Sequence, residues 1–285
     1  MLLNDSRLYE PFGGFAGRAS SHNTTWIRSG IGFHSNLTII ESVSLYMTDP
    51  DPFGRAIYDH ARGEREAPLV QRDGEETLEH PIEAFYFGDF SPDSEDSRWI
   101  ESRLSGPLLD MGAGAGRDAL YFQERFETVA IEVSEHLVAT MDERGVRDAR
   151  HIDMFALPEF FEHDRFASAL AIGTQLGLAG SMQGLRQFLG DLAFVTMPGA
   201  SALLDCYDPD REGTTDLLGY RADPTPDLAA RVMYFEYEDE TGDILLFRLF
   251  GPDRLREATV GTDWGVTEIR YVGNDYHYIA ALEKR

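Results

Sequence analysis

From residue 106 onward, short apolar runs alternate with helical patterns. The runs Pro107–Met111, Thr128–Val133, Arg150–Met154, Phe166–Ile172 and Ser201–Tyr207 predict strands. Between them, Gly116–Phe126, Glu135–Arg144 and Ser181–Val195 predict helices. In the last of these, Leu185, Phe188, Leu189 and Leu192 fall on one face, and Ser181 is a helix-capping residue type at the right place. Apolar strands that alternate with helices predict an α/β fold with a parallel sheet covered on both sides. Ligands of such sheets sit outside the carboxyl ends of the strands. After Tyr207 the pattern changes. Ala230–Glu238 and Asp243–Phe250 lie about Thr241-Gly242 and predict a hairpin. A helix over Pro252–Thr259 follows. Two final strands, Val266–Tyr271 and Tyr276–Leu282, meet at Gly273-Asn274-Asp275 and are expected to run antiparallel.

The first part of the chain reads differently. Residues 1–46 are rich in Gly, Ser and Asn, and we expect a disordered upstream extension, with Met47 as the functional first residue; a lid or arm is the alternative. Residues 47–105 read as helices and loops. Asp51 caps a helix with Pro52 at its first position, running to about Arg62. Pro81–Phe90 carries the aromatic cluster Phe85, Tyr86, Phe87 and Phe90, and Ser97–Leu104 leads into the next strand. This division gives a helical cap or lid over 47–105 and a main domain over 106–285, with an insertion at 220–250 that walls a pocket.

Composition narrows the partners. The chain has 285 residues and a formal net charge of −25, from 50 acids against 25 Lys and Arg. Its sole lysine is Lys284. An acidic surface that keeps arginine and discards lysine looks like that of proteins from salt-loving organisms, where the Debye length shrinks to ~3 Å and self-repulsion is screened. The competing reading is a surface that selects cationic partners. Either way nucleic acid is disfavoured as a partner. The one cysteine, Cys206, lies in an apolar run and reads as a buried strand thiol, so no disulfide framework and no cysteine-based metal site forms within the chain. No stretch approaches the ~20 apolar residues of a membrane helix, and the first residues lack the layout of a signal peptide. The expectation is a cytoplasmic protein with no membrane partner and no metal.

The most informative stretch is 107–119, Pro-Leu-Leu-Asp-Met-Gly-Ala-Gly-Ala-Gly-Arg-Asp-Ala. A strand ends in an acid, three alternating glycines follow, and a helix begins. Glycine belongs where a Cβ would collide with a ligand or where φ must be positive, and the helix start aims its amides at the same place. Two spellings compete. Gly114 to Ala119 reads Gly-x-Gly-x-x-Ala, a dinucleotide fingerprint. Asp110 to Gly116 reads Asp-x-Gly-x-Gly-x-Gly, which resembles the first motif of class I S-adenosylmethionine-dependent methyltransferases.

Further positions favour that second resemblance. Asp110 suits a cationic amino-acid group and would repel a pyrophosphate. Glu132 ends the next strand and can accept from ribose hydroxyls in either cofactor family. Asp153, in His-Ile-Asp-Met-Phe, stands where the methyltransferases hold an Asp for the adenine amino group, with Met154 contributing backbone. Residues 197–205, Met-Pro-Gly-Ala-Ser-Ala-Leu-Leu-Asp, look like that family's turn into the fifth strand, and 171–181 resembles the fourth-strand segment of its small-molecule members. The resemblance implies a Rossmann-like seven-stranded sheet with an antiparallel last strand. It implies S-adenosylmethionine as cofactor, held by Asp110, Gly112, Gly114, Gly116, Glu132, Val133, Asp153, Met154 and Ile172. Two departures stand: Glu132 where Asp is more frequent, and Ile152 where Gly is common.

The implied reaction is methyl transfer by in-line displacement to a small-molecule acceptor. A general base is needed only if the acceptor atom must lose a proton, and the sequence names none. The Asn/Asp-Pro-Pro-aromatic signature of nucleic-acid amino methyltransferases is missing from the fourth strand. His60, His80, His136, His151, His163 and His277 are scattered outside any motif, with His80 nearest the aromatic segment that is placed to close over a cofactor. Asp205, Tyr207 and Asp208 stand at the mouth of the fifth strand, on the acceptor side. The alternatives are an NAD(P)-binding oxidoreductase and a noncatalytic S-adenosylmethionine-binding protein.

Overall fold

Residues 50–285 are described by a computed structural model. The expectations for residues 1–46 and for Met47 lie outside the described residues.

The strand–helix alternation builds a seven-stranded sheet. Its strands are β3 (Leu108–Met111), β4 (Thr128–Glu132), β5 (Ala149–His151), β6 (Phe166–Ala171), β7 (Thr196–Tyr207), β12 (Trp264–Tyr271) and β13 (His277–Lys284). They lie in the order β12-β13-β7-β6-β3-β4-β5. The five strands from β7 to β5 are parallel, and β13 runs antiparallel to both β7 and β12. This is the Rossmann-like sheet with a reversed last strand.

Alternate residues of each strand serve opposite faces. On one face Ala202, Leu204 and Cys206 join Leu185, Phe188, Leu189 and Leu192 of α6 (Met182–Val195), and Leu255 and Ala258 of α7 (Pro252–Thr259). On the other, Leu203, Leu170 and Ile279 meet Ile100 of α2 (Glu95–Arg103) and Phe122 of α3 (Arg117–Phe122). Cys206 is fully buried, and burial pushes its thiol up to about 12. The sole lysine, Lys284, is also buried, with Nζ donating to the carbonyls of Ala193 and Thr196 at the end of α6.

Some boundaries move. β5 stops at His151 rather than Met154, because Asp153 caps a short 3-10 turn over Met154–Ala156, just before α5 (Leu157–Phe160). β7 starts at Thr196, and Pro198-Gly199 lies within it, where the register with β6 shifts between Phe166 and Ser168. α4 keeps its expected limits, Glu135–Arg144.

The reading of 47–105 as helices and loops needs correction. α1 (Pro52–Arg62) has its Asp51 cap and Pro52 as expected, and Glu83–Phe87 forms one turn of π-helix. Between them stand two strands, β1 (Val70–Asp73) and β2 (Glu76–Glu79), paired antiparallel. β1 also pairs with β9 (Leu228–Tyr237) of the insertion. β9 is a hub that binds β8 (Tyr220–Ala222), β10 (Glu240–Thr241) and β11 (Leu245–Phe250) as well. The product is a second, six-stranded sheet. β1 and β2 read Val-Gln-Arg-Asp and Glu-Thr-Leu-Glu; such short polar strands have no apolar alternation to announce them. Phe235 and Phe247 of this sheet, with Phe53 of α1, Leu69 and Tyr86, pack against Ala115, Leu137 and Tyr207, covering the carboxyl edge of the larger sheet.

Candidate functional site

The turn after β3 requires glycine three times: φ is +64° at Gly112, +58° at Gly114 and +80° at Gly116. The amides of Gly112 and Ala113 both donate to the Ile131 carbonyl of β4, so the turn is folded back over the neighbouring strand. The three positions face different things. A Cβ on Gly112 would come within 2.5 Å of the Gln175 side-chain amide, and one on Gly114 would lie 3.2 Å from the Tyr86 ring. A Cβ on Gly116 would meet Val146 and Met141 at 2.6 and 3.0 Å. Gly116 therefore serves close packing on the α4 side, Gly112 lets Gln175 pack against the bend, and Gly114 lets the Tyr86 ring approach it.

Two buried carboxylates bracket this bend. Asp110 is 3% exposed, and its Oδ2 has no hydrogen-bond partner among the described residues. Burial, reinforced by the neighbouring charge of Asp118, pushes its carboxyl well above the usual range; Arg117 opposes the shift. A buried acceptor without a donor carries a free-energy penalty that a ligand donor removes. Glu132 is 2% exposed and accepts from the amides of Gly114 (3.2 Å) and Val133 (2.8 Å). Burial nevertheless raises it to about 7. Beside it, Ser134 donates to Asp51, so the start of α1 is tied to the start of α4.

Asp153 stands at the end of the next parallel strand, half-buried, and accepts from the Phe155 amide at 2.8 Å. Asp110, Glu132 and Asp153 thus follow one another across β3, β4 and β5 at one end of the sheet. The Met154 side chain belongs to the core, which leaves only its backbone to face a ligand. Ile172 is partly buried against the opposite face, and Val133 is half-buried next to Glu132.

One group at this edge, Gln175, carries no local signal in the sequence. Gln175 is 2% exposed and lies against Gly112. Its loop is held by Asp205 at the end of β7, which accepts from the amides of Gly173 (3.0 Å) and Thr174 (2.7 Å). Asp208, which the sequence also put at this mouth, accepts from Asp210 N and Tyr271 Oη and so organises its own turn.

From the second sheet comes a buried polar chain with one permitted direction. Arg231 can only donate, and its Nη2 is 2.7 Å from Gln71 Oε1. Gln71 Nε2 therefore faces His80 Nδ1 as donor (2.7 Å), and His80 Nε2–H donates to Tyr86 Oη (2.9 Å). Burial, helped by Arg231, pulls His80 down to about 3, so the ring is neutral and fixed in this tautomer. His80 is a holder of Tyr86, and Tyr86 covers Gly114. Sequence had given weight to both residues without finding Gln71 or Arg231.

No protein-family model matches the chain, and no curated protein matches it. Solved structures do. An S-adenosylmethionine-dependent methyltransferase from Bacteroides fragilis, in complex with S-adenosyl-L-homocysteine, is 25% identical and superposes with a TM-score of 0.65, covering 82% of this chain and 95% of its own. The CcbJ methyltransferase of Streptomyces caelestis is 15% identical with a TM-score of 0.51, over 66% of this chain and 87% of its own. An S-adenosylmethionine-dependent methyltransferase from Clostridium acetobutylicum is 11% identical with a TM-score of 0.51, over 66% and 88%. The protein has the Rossmann-like fold of these methyltransferases.

Proposed function

We propose that the protein binds S-adenosylmethionine and transfers its methyl group to a small-molecule acceptor by in-line displacement. The observation that carries this reading is the unpartnered, buried Oδ2 of Asp110 beside a bend of three positive-φ glycines. An acid there fits a cationic amino-acid group. Glu132, one strand over, fits the ribose hydroxyls, and Asp153 with the Met154 backbone fits the adenine end. The Bacteroides neighbour, bound to S-adenosyl-L-homocysteine, supports the choice of cofactor.

Bound S-adenosylmethionine supplies a methyl group already activated on a positive sulfur. The protein's tasks are then alignment and exclusion of water. Glu132 and the glycine bend orient the nucleoside; Tyr86 and the second sheet close the carboxyl edge. A small acceptor is supported by that cover and by the missing signature of nucleic-acid amino methyltransferases. We also read the lysine-poor acidic composition as adaptation to high salt.

An NAD(P)-binding oxidoreductase would set a pyrophosphate at the glycine bend beside Asp110, whose buried carboxylate would repel it. The test is a thermal shift at high salt with S-adenosylhomocysteine against NAD(H). Saturating S-adenosylhomocysteine, at a hundred times its Kd, is expected to stabilise the fold by about 2.7 kcal/mol through mass action. A shift with NAD(H) alone sinks the reading. Binding without methyl transfer to any acceptor would leave a noncatalytic cofactor-binding protein instead.

A further inference from the structure

A third buried acid lies one loop from the glycine bend. Asp205 and His277 are both fully buried, with Asp205 Oδ2 2.8 Å from His277 Nε2. The same carboxylate accepts from the Gly173 and Thr174 amides. A carboxylate that takes two amide donors acts as an acceptor, so Nε2 carries the ring proton. In the neutral ring Nδ1 is then a bare lone pair. Nδ1 is buried and has no hydrogen-bond partner among the described residues.

Holding Asp205 does not need an imidazole. A glutamine amide would donate to it equally and could turn its oxygen toward any nearby donor. Histidine instead strands a basic lone pair in a dry place, and such an orphan requires an explanation. An acid that orients one ring nitrogen and leaves the other bare is the arrangement of a general base.

Its place in the fold agrees. β13 is antiparallel to β7, so its first residue, His277, stands beside Tyr207 at the carboxyl edge of the sheet. The His277 ring lies 5.5 Å from the Tyr207 ring, which shares an apolar cluster with Tyr86 beneath the second sheet. The loop that Asp205 grips continues directly into Gln175, against Gly112. The pair therefore borders the side of the site away from Glu132 and Asp153, where an acceptor would approach the methyl group.

We propose that Asp205 and His277 form the proton-accepting dyad of the reaction, which makes the acceptor a compound whose attacking atom bears a proton, a hydroxyl or an ammonium. This rests on the methyl-transfer reading above. A lone pair of the acceptor atom, which an ammonium gains only once its proton has left, forms the new bond to the methyl carbon, and the carbon–sulfur pair leaves with sulfur as the neutral thioether. The acceptor's proton goes to Nδ1, and the resulting imidazolium is balanced by the Asp205 carboxylate.

The test begins with the ligand-free protein, where imidazole 15N shifts should report Nε2 protonated and Nδ1 bare. A protonated Nδ1 overturns the dyad. Next, labelled S-adenosylmethionine is offered with a panel of phenols, alcohols and amines to wild type, His277→Gln and His277→Ala. His277→Gln keeps a donor to Asp205; it should melt and bind S-adenosylhomocysteine as wild type does while turnover falls by roughly 10²–10⁴-fold. Added imidazole should restore part of the turnover of His277→Ala, and the acceptor that is labelled tells hydroxyl from amine. Wild-type turnover in His277→Gln overturns the dyad alone, whereas a wild type that binds S-adenosylhomocysteine yet methylates nothing overturns methyl transfer and the dyad with it. A wild type that does not bind S-adenosylhomocysteine overturns the underlying reading and the dyad with it.

Discussion

The two sheets of this protein are made by opposite means. In the larger one, β3, β4 and β5 follow one another along the chain and lie side by side, with a helix between each pair. Its chemistry is equally local: Glu132 accepts from the amide of the very next residue and from the bend on the adjoining strand. In the smaller sheet β1 pairs with β9, and the Gln71–Arg231 bond that ties them spans 160 positions. The larger sheet supplies buried acids at strand ends. The smaller supplies a cover, held by a chain of neutral and cationic donors. A site can thus be written locally while its lid is written across the whole sequence, and the two halves should fail differently when damaged.

The largest expected effect is on the local half. Gly116→Ala places a Cβ at φ +80° and within 2.6 Å of Val146. The left-handed conformation costs roughly 1–2 kcal/mol for a non-glycine residue, and overpacking adds about 1–3 kcal/mol. Chemical denaturation should therefore show a loss of ~2–5 kcal/mol. A loss under ~1 kcal/mol would mean that the bend relaxes freely, and the contrast drawn above would weaken.

Arg231→Met probes the other half. It removes the donors to the Leu218 carbonyl (2.7 Å) and to Gln71 Oε1, both in a buried setting. Stranding a buried acceptor costs about 1–3 kcal/mol. The expected loss is ~3 kcal/mol, felt first as lost amide-exchange protection in β1, β2 and β9, with the seven-stranded sheet still protected. Equal loss of protection in both sheets would show that cover and core unfold as one unit.

The same division explains what was legible beforehand. Apolar runs gave β3, β4 and β6 nearly to the residue but only the end of β7, and the Ser181 cap fixes the start of α6. Asp110 and Glu132 were readable because an acid that ends an apolar strand beside glycines is a local pattern. Met154 was readable only as a position, since its side chain turned out to be core. Asp153 caps its own turn, which is also a local role. By contrast β1 and β2 leave every side chain but Gln71 partly or wholly exposed and exist because β9 offers an edge to β1. No window of sequence contains that information. Gln71, Arg231 and the His277–Asp205 contact were invisible for the same reason: each is polar, unremarkable in its own neighbourhood, and meaningful only beside a residue from another part of the chain.

The finest test is the pH dependence of Glu132, which reads the local half without disturbing the cover. Burial holds its carboxyl at about 7, against a usual value near 4.3 in the unfolded chain. Between those values the native state keeps a proton that the unfolded chain has released. Stability from this group is thus complete below ~4.3 and is lost as pH rises toward 7, by up to about 1.4 kcal/mol per unit. Ligand binding runs the other way. Ribose hydroxyls donate, and they favour the carboxylate, so the Kd of S-adenosylhomocysteine should fall up to roughly tenfold per unit as pH rises to about 7 and then level. Glu132→Gln should weaken binding and flatten both slopes. Asp110 is raised by burial as well and would prefer to ionise against a bound ammonium. Any slope that survives in Glu132→Gln therefore belongs to Asp110, and should vanish in the double variant with Asp110→Asn. A slope that persists there would assign the proton to the cover, and the clean separation of acids from lid would be wrong.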